Sequence, residues 1–91
     1  MIVRNHIVFQ GRVQGVGFRF RAKHAADLMG ATGWVRNEPD GSVTMEIQGT
    51  PEQIKRVIEM TGEGTYVNIE EMDSKEIGTD LSERSFEYRF R

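Results

Sequence analysis

The chain has 91 residues, 37% hydrophobic and 29% charged, with no cysteine and a net charge of −2. That length holds a single domain spanning residues 1–91, and the composition excludes a disordered or fibrous chain, disulfides, thiolate metal sites and a cysteine nucleophile. The longest apolar runs, residues 1–3 and 7–9, are too short for a transmembrane helix or a signal peptide. A cytoplasmic chain with no membrane partner is therefore expected.

Residues 3–11 read as a strand, with Val3, Asn5, Ile7 and Phe9 on one face and His6, Val8 and Gln10 on the other. The next stretch, Gly11-Arg12-Val13-Gln14-Gly15-Val16-Gly17-Phe18-Arg19, is too rich in glycine for a regular element. Phe18, Ala22, Ala25, Ala26 and Met29 then recur at helical spacing, and Gly30 provides a stop. Residues 32–37 and 43–48 form two strands joined by Glu38-Pro39-Asp40-Gly41, a turn sequence that makes them an antiparallel hairpin.

Thr50-Pro51-Glu52-Gln53 announces a second helix with a capping box, and Ile54, Val57 and Ile58 supply its apolar stripe. Val67 and Ile69 open a fourth strand whose alternation breaks down towards Ile77, through a bulge near Glu71-Met72 or an early end. Phe86, Tyr88 and Phe90 alternate with Glu87, Arg89 and Arg91 in a last strand. The order implies an α+β fold, a ferredoxin-like βαββαβ sandwich. Its antiparallel sheet would have four or five strands, with two helices on one face.

Residues 1–40 carry six basic against three acidic side chains, and residues 41–91 six against eleven. The net charge argues against nucleic-acid binding, while the basic first half points to a local anion site. The glycine-rich loop suits that role. Backbone N–H groups between a strand end and a helix start lack partners, and glycine lets successive amides converge. The helix start adds a positive dipole end, and Arg19 can offer two donors to one phosphate. Amides from Gln14 through Gly15, Val16, Gly17 and Phe18 to Arg19 would form a phosphate cradle. Neither the P-loop nor the dinucleotide fingerprint fits this spacing.

The loop, followed by Gly33-Trp34-Val35-Arg36-Asn37 and then Asp40-Gly41-x-Val43, resembles the acylphosphatase family. Those are its two signature blocks in order and spacing, with a close match over residues 9–49. The resemblance implies hydrolysis of the carboxyl–phosphate bond of small acyl phosphates, with Arg19 binding phosphate and Asn37 orienting the attacking water. Orthophosphate or sulfate would be product-like ligands.

Neither block holds a carboxylate cluster or histidine pair, so no metal or other cofactor is expected. A leaving carboxylate, whose conjugate acid has a pKa near ~4, departs without a general acid, whereas an alkoxide does not. A monomer is expected, in the stand-alone form rather than the form fused to larger carbamoyl-transfer maturation proteins. The alternative is a catalytically idle anion-binding or regulatory module on the same fold. An RNA-binding domain on this topology is disfavoured by the absent aromatic signature and acidic charge.

His6 and His24 read as surface or packing residues, Trp34 as a large core or interface side chain packing beside Gly33, and Arg12 and Arg36 as solvated cations. Two positions depart from the family pattern. Ala31 stands where a larger aliphatic residue is usual, which implies looser packing. The Gly62-Glu63-Gly64-Thr65-Tyr66 loop lacks the usual prolines, which puts any role in shaping the acyl side of the pocket in doubt.

Overall fold

The computed structural model describes residues 1–90; Arg91, the last member of the expected C-terminal alternation, lies outside the described residues. The elements run β1 (Val3–Arg12), α1 (Phe18–Met29), β2 (Thr32–Asn37), β3 (Val43–Gly49), α2 (Pro51–Gly62), β4 (Asn68–Ile77) and β5 (Phe86–Arg89). Five strands form one sheet in the order β4-β1-β3-β2-β5.

Period-two alternation sorts the sheet into two faces. Ile7 sits opposite Met45, and Val35 opposite the same Met45. With Phe9, Val43, Ile47 and Phe86 they form the fully buried core. The helices complete that core through Phe18, Ala22, Ala25 and Ala26 of α1 and Ile54 and Val57 of α2. The small alanine stripe lets α1 lie close to its neighbours. Phe18 meets Phe9 at a ring separation of 5.0 Å and a tilt of 60°, an aromatic pair worth about 0.5–1.5 kcal/mol beyond its buried area. It pins the first turn of α1 against the end of β1. Ala31 is itself a buried member of the core. The capping box at Thr50 and Gln53 forms as expected.

Three readings need correction. The sheet is mixed rather than antiparallel, because β5 pairs with β2 in parallel. Strands β1 and β2 run one way and β3 and β4 the other. A chain that leaves β4 and crosses to the far edge re-enters in the direction of β2. Strand β4 also continues to Ile77, and its bulge falls earlier than expected. Gln10 pairs with Glu71 but Gly11 with Ile69, so Glu70 is the extra residue. Trp34, although 7% exposed, faces away from the helices. Arg36 and Arg89 flank its ring at 5.0 and 4.6 Å.

Residues 78–85 strap the open face. Asp80 donates its N–H to Gln48 Oε1 at 2.8 Å and accepts at its carbonyl from Gln48 Nε2 at 3.0 Å. Glu83 takes a two-point contact from buried Arg4, at 2.7 and 3.1 Å. Arg4 also donates from Nε to Glu46 at 3.3 Å, and His6 Nδ1 meets the other oxygen of Glu46 at 2.7 Å. His6 thus joins the hydrogen-bond network around Glu46, while exposed His24 stacks on Phe20. Gly64 is buried against Arg21, and the Gly62-to-Tyr66 loop packs there rather than at the site below. No helix among the described residues is long and apolar enough to cross a membrane.

Candidate active site

The carboxyl ends of β1, β2 and β5 meet the amino end of α1 at one end of the sheet. A cleft of about 280 Å³ opens there, and Gly15, Gly17, Phe18, Arg19 and Asn37 all line it. Residues of the two separated sequence blocks therefore share one site. Gly15 and Gly17 both hold positive φ, 71° and 80°, and a Cβ at either would meet no atom within 4 Å. Backbone conformation, not crowding, is what demands glycine at these two positions.

Gly17 is also the N-cap of α1, with no side-chain hydrogen bond on the helix start and no acidic residue in the first turn. The positive end of the helix is left facing the cleft. Arg19 follows in the first turn, half-buried, with its guanidinium 5.2 Å from the centre of the Phe90 ring. Among the described residues no carboxylate pairs with it. Its forked donors are therefore available to an anion, while the neighbouring Arg36 is engaged by Glu38 at 2.9 Å.

Asn37 ends β2 opposite Val43. Its Oδ1 is buried and has no hydrogen-bond partner among the described residues, an arrangement that costs free energy unless a ligand or water fills it. The turn after it is stiff. Glu38 donates its N–H to the Ser42 carbonyl at 2.9 Å, and Asp40 accepts from the Ser42 N–H and hydroxyl at 2.9 and 2.6 Å. The Ser42 hydroxyl, then its N–H, hold the Asp40 carboxyl below its usual pKa.

Gln14 and Val16 are not in the lining. Gln14 Nε2 instead donates to the carbonyls of Glu38 and Ser42, both at 2.8 Å, and so ties the glycine-rich loop to the turn that carries Asn37. Val16 packs against the core. The sequence reading missed Val13, Phe20, Tyr88 and Phe90, which also line the cleft. The signal for Tyr88 and Phe90 was present in their alternation with core Phe86. What could not be seen was which end of the sheet that strand would reach.

A model of the family described as Acylphosphatase matches residues 5–88. The chain belongs to the acylphosphatase family. An acylphosphatase of Nocardioides sp. is 40% identical over 84 residues, covering 91% of this chain and 84% of that relative. The crystal structure of acylphosphatase from Bacillus subtilis matches with a TM-score of 0.86 at 28% identity, covering 98% of this chain and 99% of that one. Full-length HypF, solved in a phosphate- and nucleotide-bound form, matches with a TM-score of 0.86 at 25% identity, over 98% of this chain but 12% of HypF. Acylphosphatases are hydrolases that act on small acyl phosphates, and this chain is an enzyme of that class, not an idle binding module.

Proposed function

We propose that the cleft hydrolyses acyl phosphates by direct in-line attack of water on phosphorus. The amides of the Gln14-to-Arg19 loop, those of Gly15, Gly17, Phe18 and Arg19 foremost, and the Arg19 guanidinium hold the non-bridging oxygens. They stabilise the charge that spreads over these oxygens in the transition state. Asn37 holds the attacking water by its carboxamide, whose carbonyl accepts a hydrogen bond and whose NH₂ donates one. The water oxygen bonds to phosphorus as the bond from phosphorus to the acyl oxygen breaks. The carboxylate leaves with that electron pair, and a phosphate oxygen takes the proton of the water.

The observation that carries this reading is the shared cleft. It joins a glycine-shaped, uncapped helix start, an arginine with no carboxylate partner among the described residues, and an asparagine whose buried oxygen has no partner among them either. The residue types fit the same chemistry. Among the described residues the lining contains no carboxylate and no histidine, so these side chains supply position and charge rather than proton transfer. That limits substrates to those with a good leaving group, and an acyl phosphate has one.

All residues of the proposal come from one chain, so a monomer suffices. The cytoplasm as its place of action rests on the sequence pattern alone. The test is hydrolysis of benzoyl phosphate with no added metal. Activity is expected to survive a chelator and to disappear in Arg19→Ala. Arg19→Lys is expected to retain little activity, because a single ammonium cannot reproduce the planar fork. Full activity in Arg19→Ala, or loss with the chelator alone, would overturn the proposal.

A further inference from the structure

Resting on that placement of phosphate, we infer that Phe20, Tyr88 and Phe90 form an acyl subsite. It selects flat, apolar acyl groups, aromatic ones above all, over small polar ones. The three side chains come from two elements, the first turn of α1 and β5 with the residue after it, and all line the cleft. They are 67%, 36% and 78% exposed, in a domain that buries Phe9, Phe18 and Phe86 completely. A lone exposed apolar residue is ordinary. Three aromatic rings around the mouth of one anion cleft form a patch with the composition of a ligand site.

The patch is continuous with the phosphate end. The Arg19 guanidinium lies over the Phe90 ring at 5.2 Å, so one side chain touches both halves. The Phe20 ring lies nearly parallel to His24, at 6.4 Å and 12°. The cleft, about 280 Å³, approaches the lower end of the range in which whole small molecules bind, about 300 Å³. Phosphate held on the backbone floor leaves the acyl group to pass through the mouth.

The mouth also disfavours polar acyl groups. Apart from the Tyr88 hydroxyl, Arg19 and Asn37, no polar side chain among the described residues lines the cleft. The last two are assigned to phosphate and water. The amide of a carbamoyl group or the hydroxyl of a hydroxyacyl group would lose water there and find few partners. A phenyl ring would gain aromatic contact partners there.

Direct calorimetric titration with three non-hydrolysed probes tests this: benzoylphosphonate, acetylphosphonate and orthophosphate. Benzoylphosphonate is expected to bind about tenfold more tightly than acetylphosphonate, the scale of a modest apolar contact. Phe20→Ala and Tyr88→Ala are expected to bring that ratio towards one, and Phe20→Tyr to keep it. Binding of all three probes with no preference, or a ratio unchanged in both alanine variants, would overturn the subsite alone. Equal losses for orthophosphate and benzoylphosphonate in those variants would do the same, since they would show a displaced cradle. Failure of every probe to bind the wild type would overturn the phosphate placement and the subsite together.

Discussion

Asn37→Ala separates chemistry from folding. No side-chain hydrogen bond among the described residues runs through its amide, and the buried Oδ1 has no protein partner. Truncation gives up only the packing of a half-buried polar group. Unfolding free energy is expected to change by no more than about 1 kcal/mol, and the thermal midpoint by less than about 8 °C. Turnover loses a positioned nucleophile, which costs about a hundredfold to a thousandfold in kcat, or about 2.7–4 kcal/mol of barrier.

Phosphate release from benzoyl phosphate gives kcat, inhibition by orthophosphate gives the affinity of the cradle, and urea unfolding gives stability. A kcat within tenfold of wild type would refute the reasoning. So would a fall in phosphate affinity as large as the fall in kcat. Gln14→Ala provides the contrast. Its amide makes two bonds of 2.8 Å that join the loop to the turn. Stability, by about 1–3 kcal/mol, and phosphate affinity should fall together.

The same measurements check three further predictions. Gly33→Ala should fail to fold, since φ is +145° and its Cβ would lie 1.9 Å from the backbone oxygen of Glu46, whereas Gly41→Ala (φ +94°, open space) should cost only about 1–2 kcal/mol in urea unfolding. Arg4→Met leaves Glu83 without its cation and Glu46 with His6 alone on the open face, and should cost about 3 kcal/mol with faster proteolysis of residues 78–85. Burial alone would raise the Glu46 carboxyl, but hydrogen bonds from His6 and Arg4 outweigh it and hold it below its usual pKa of 4.5. Because the folded value is the lower one, this stabilisation is complete above about 4.5 and is lost as pH falls through the folded value. Glu46→Gln should therefore flatten the acid side of a plot of urea midpoint against pH.

Much of this was legible because local and global signals agree. The alternation in residues 3–9 and 43–47, the capping box at Thr50, and the turn at Glu38-Pro39-Asp40-Gly41 each name one element, and the sheet joins them without conflict. Positive φ at Gly15 and Gly17 follows from the same local logic. Illegible were features decided by pairing at long range. The displaced residue in β4 depends on where Gly11 sits against Ile69. Trp34 is buried on the outer face because two arginines stack on it, one from a strand more than fifty residues away. Gln14 looked like part of the cradle, yet its side chain serves as a tether whose acceptors are carbonyls, which residue identity does not reveal.

The parallel pairing of β5 is the error with functional weight. In an antiparallel continuation the last strand would run the other way, and residues 88–90 would end at the strap, beside Arg4 and Gln48. The crossing of residues 78–85 brings the chain back in the direction of β2 instead, with Val35 opposite Tyr88 and Arg36 opposite Arg89. Alternation then acts twice along one strand. Phe86 enters the core, and Tyr88 and Phe90, on the same side but nearer the sheet's end, emerge at the cleft. The ion pair of Arg4 with Glu83 and the contacts of Gln48 with Asp80 thus hold the segment whose path decides where β5 ends. Loosening that distant strap should weaken binding of an aromatic acyl group before it weakens binding of phosphate, because the cradle belongs to β1 and α1 and the aromatic wall belongs largely to β5.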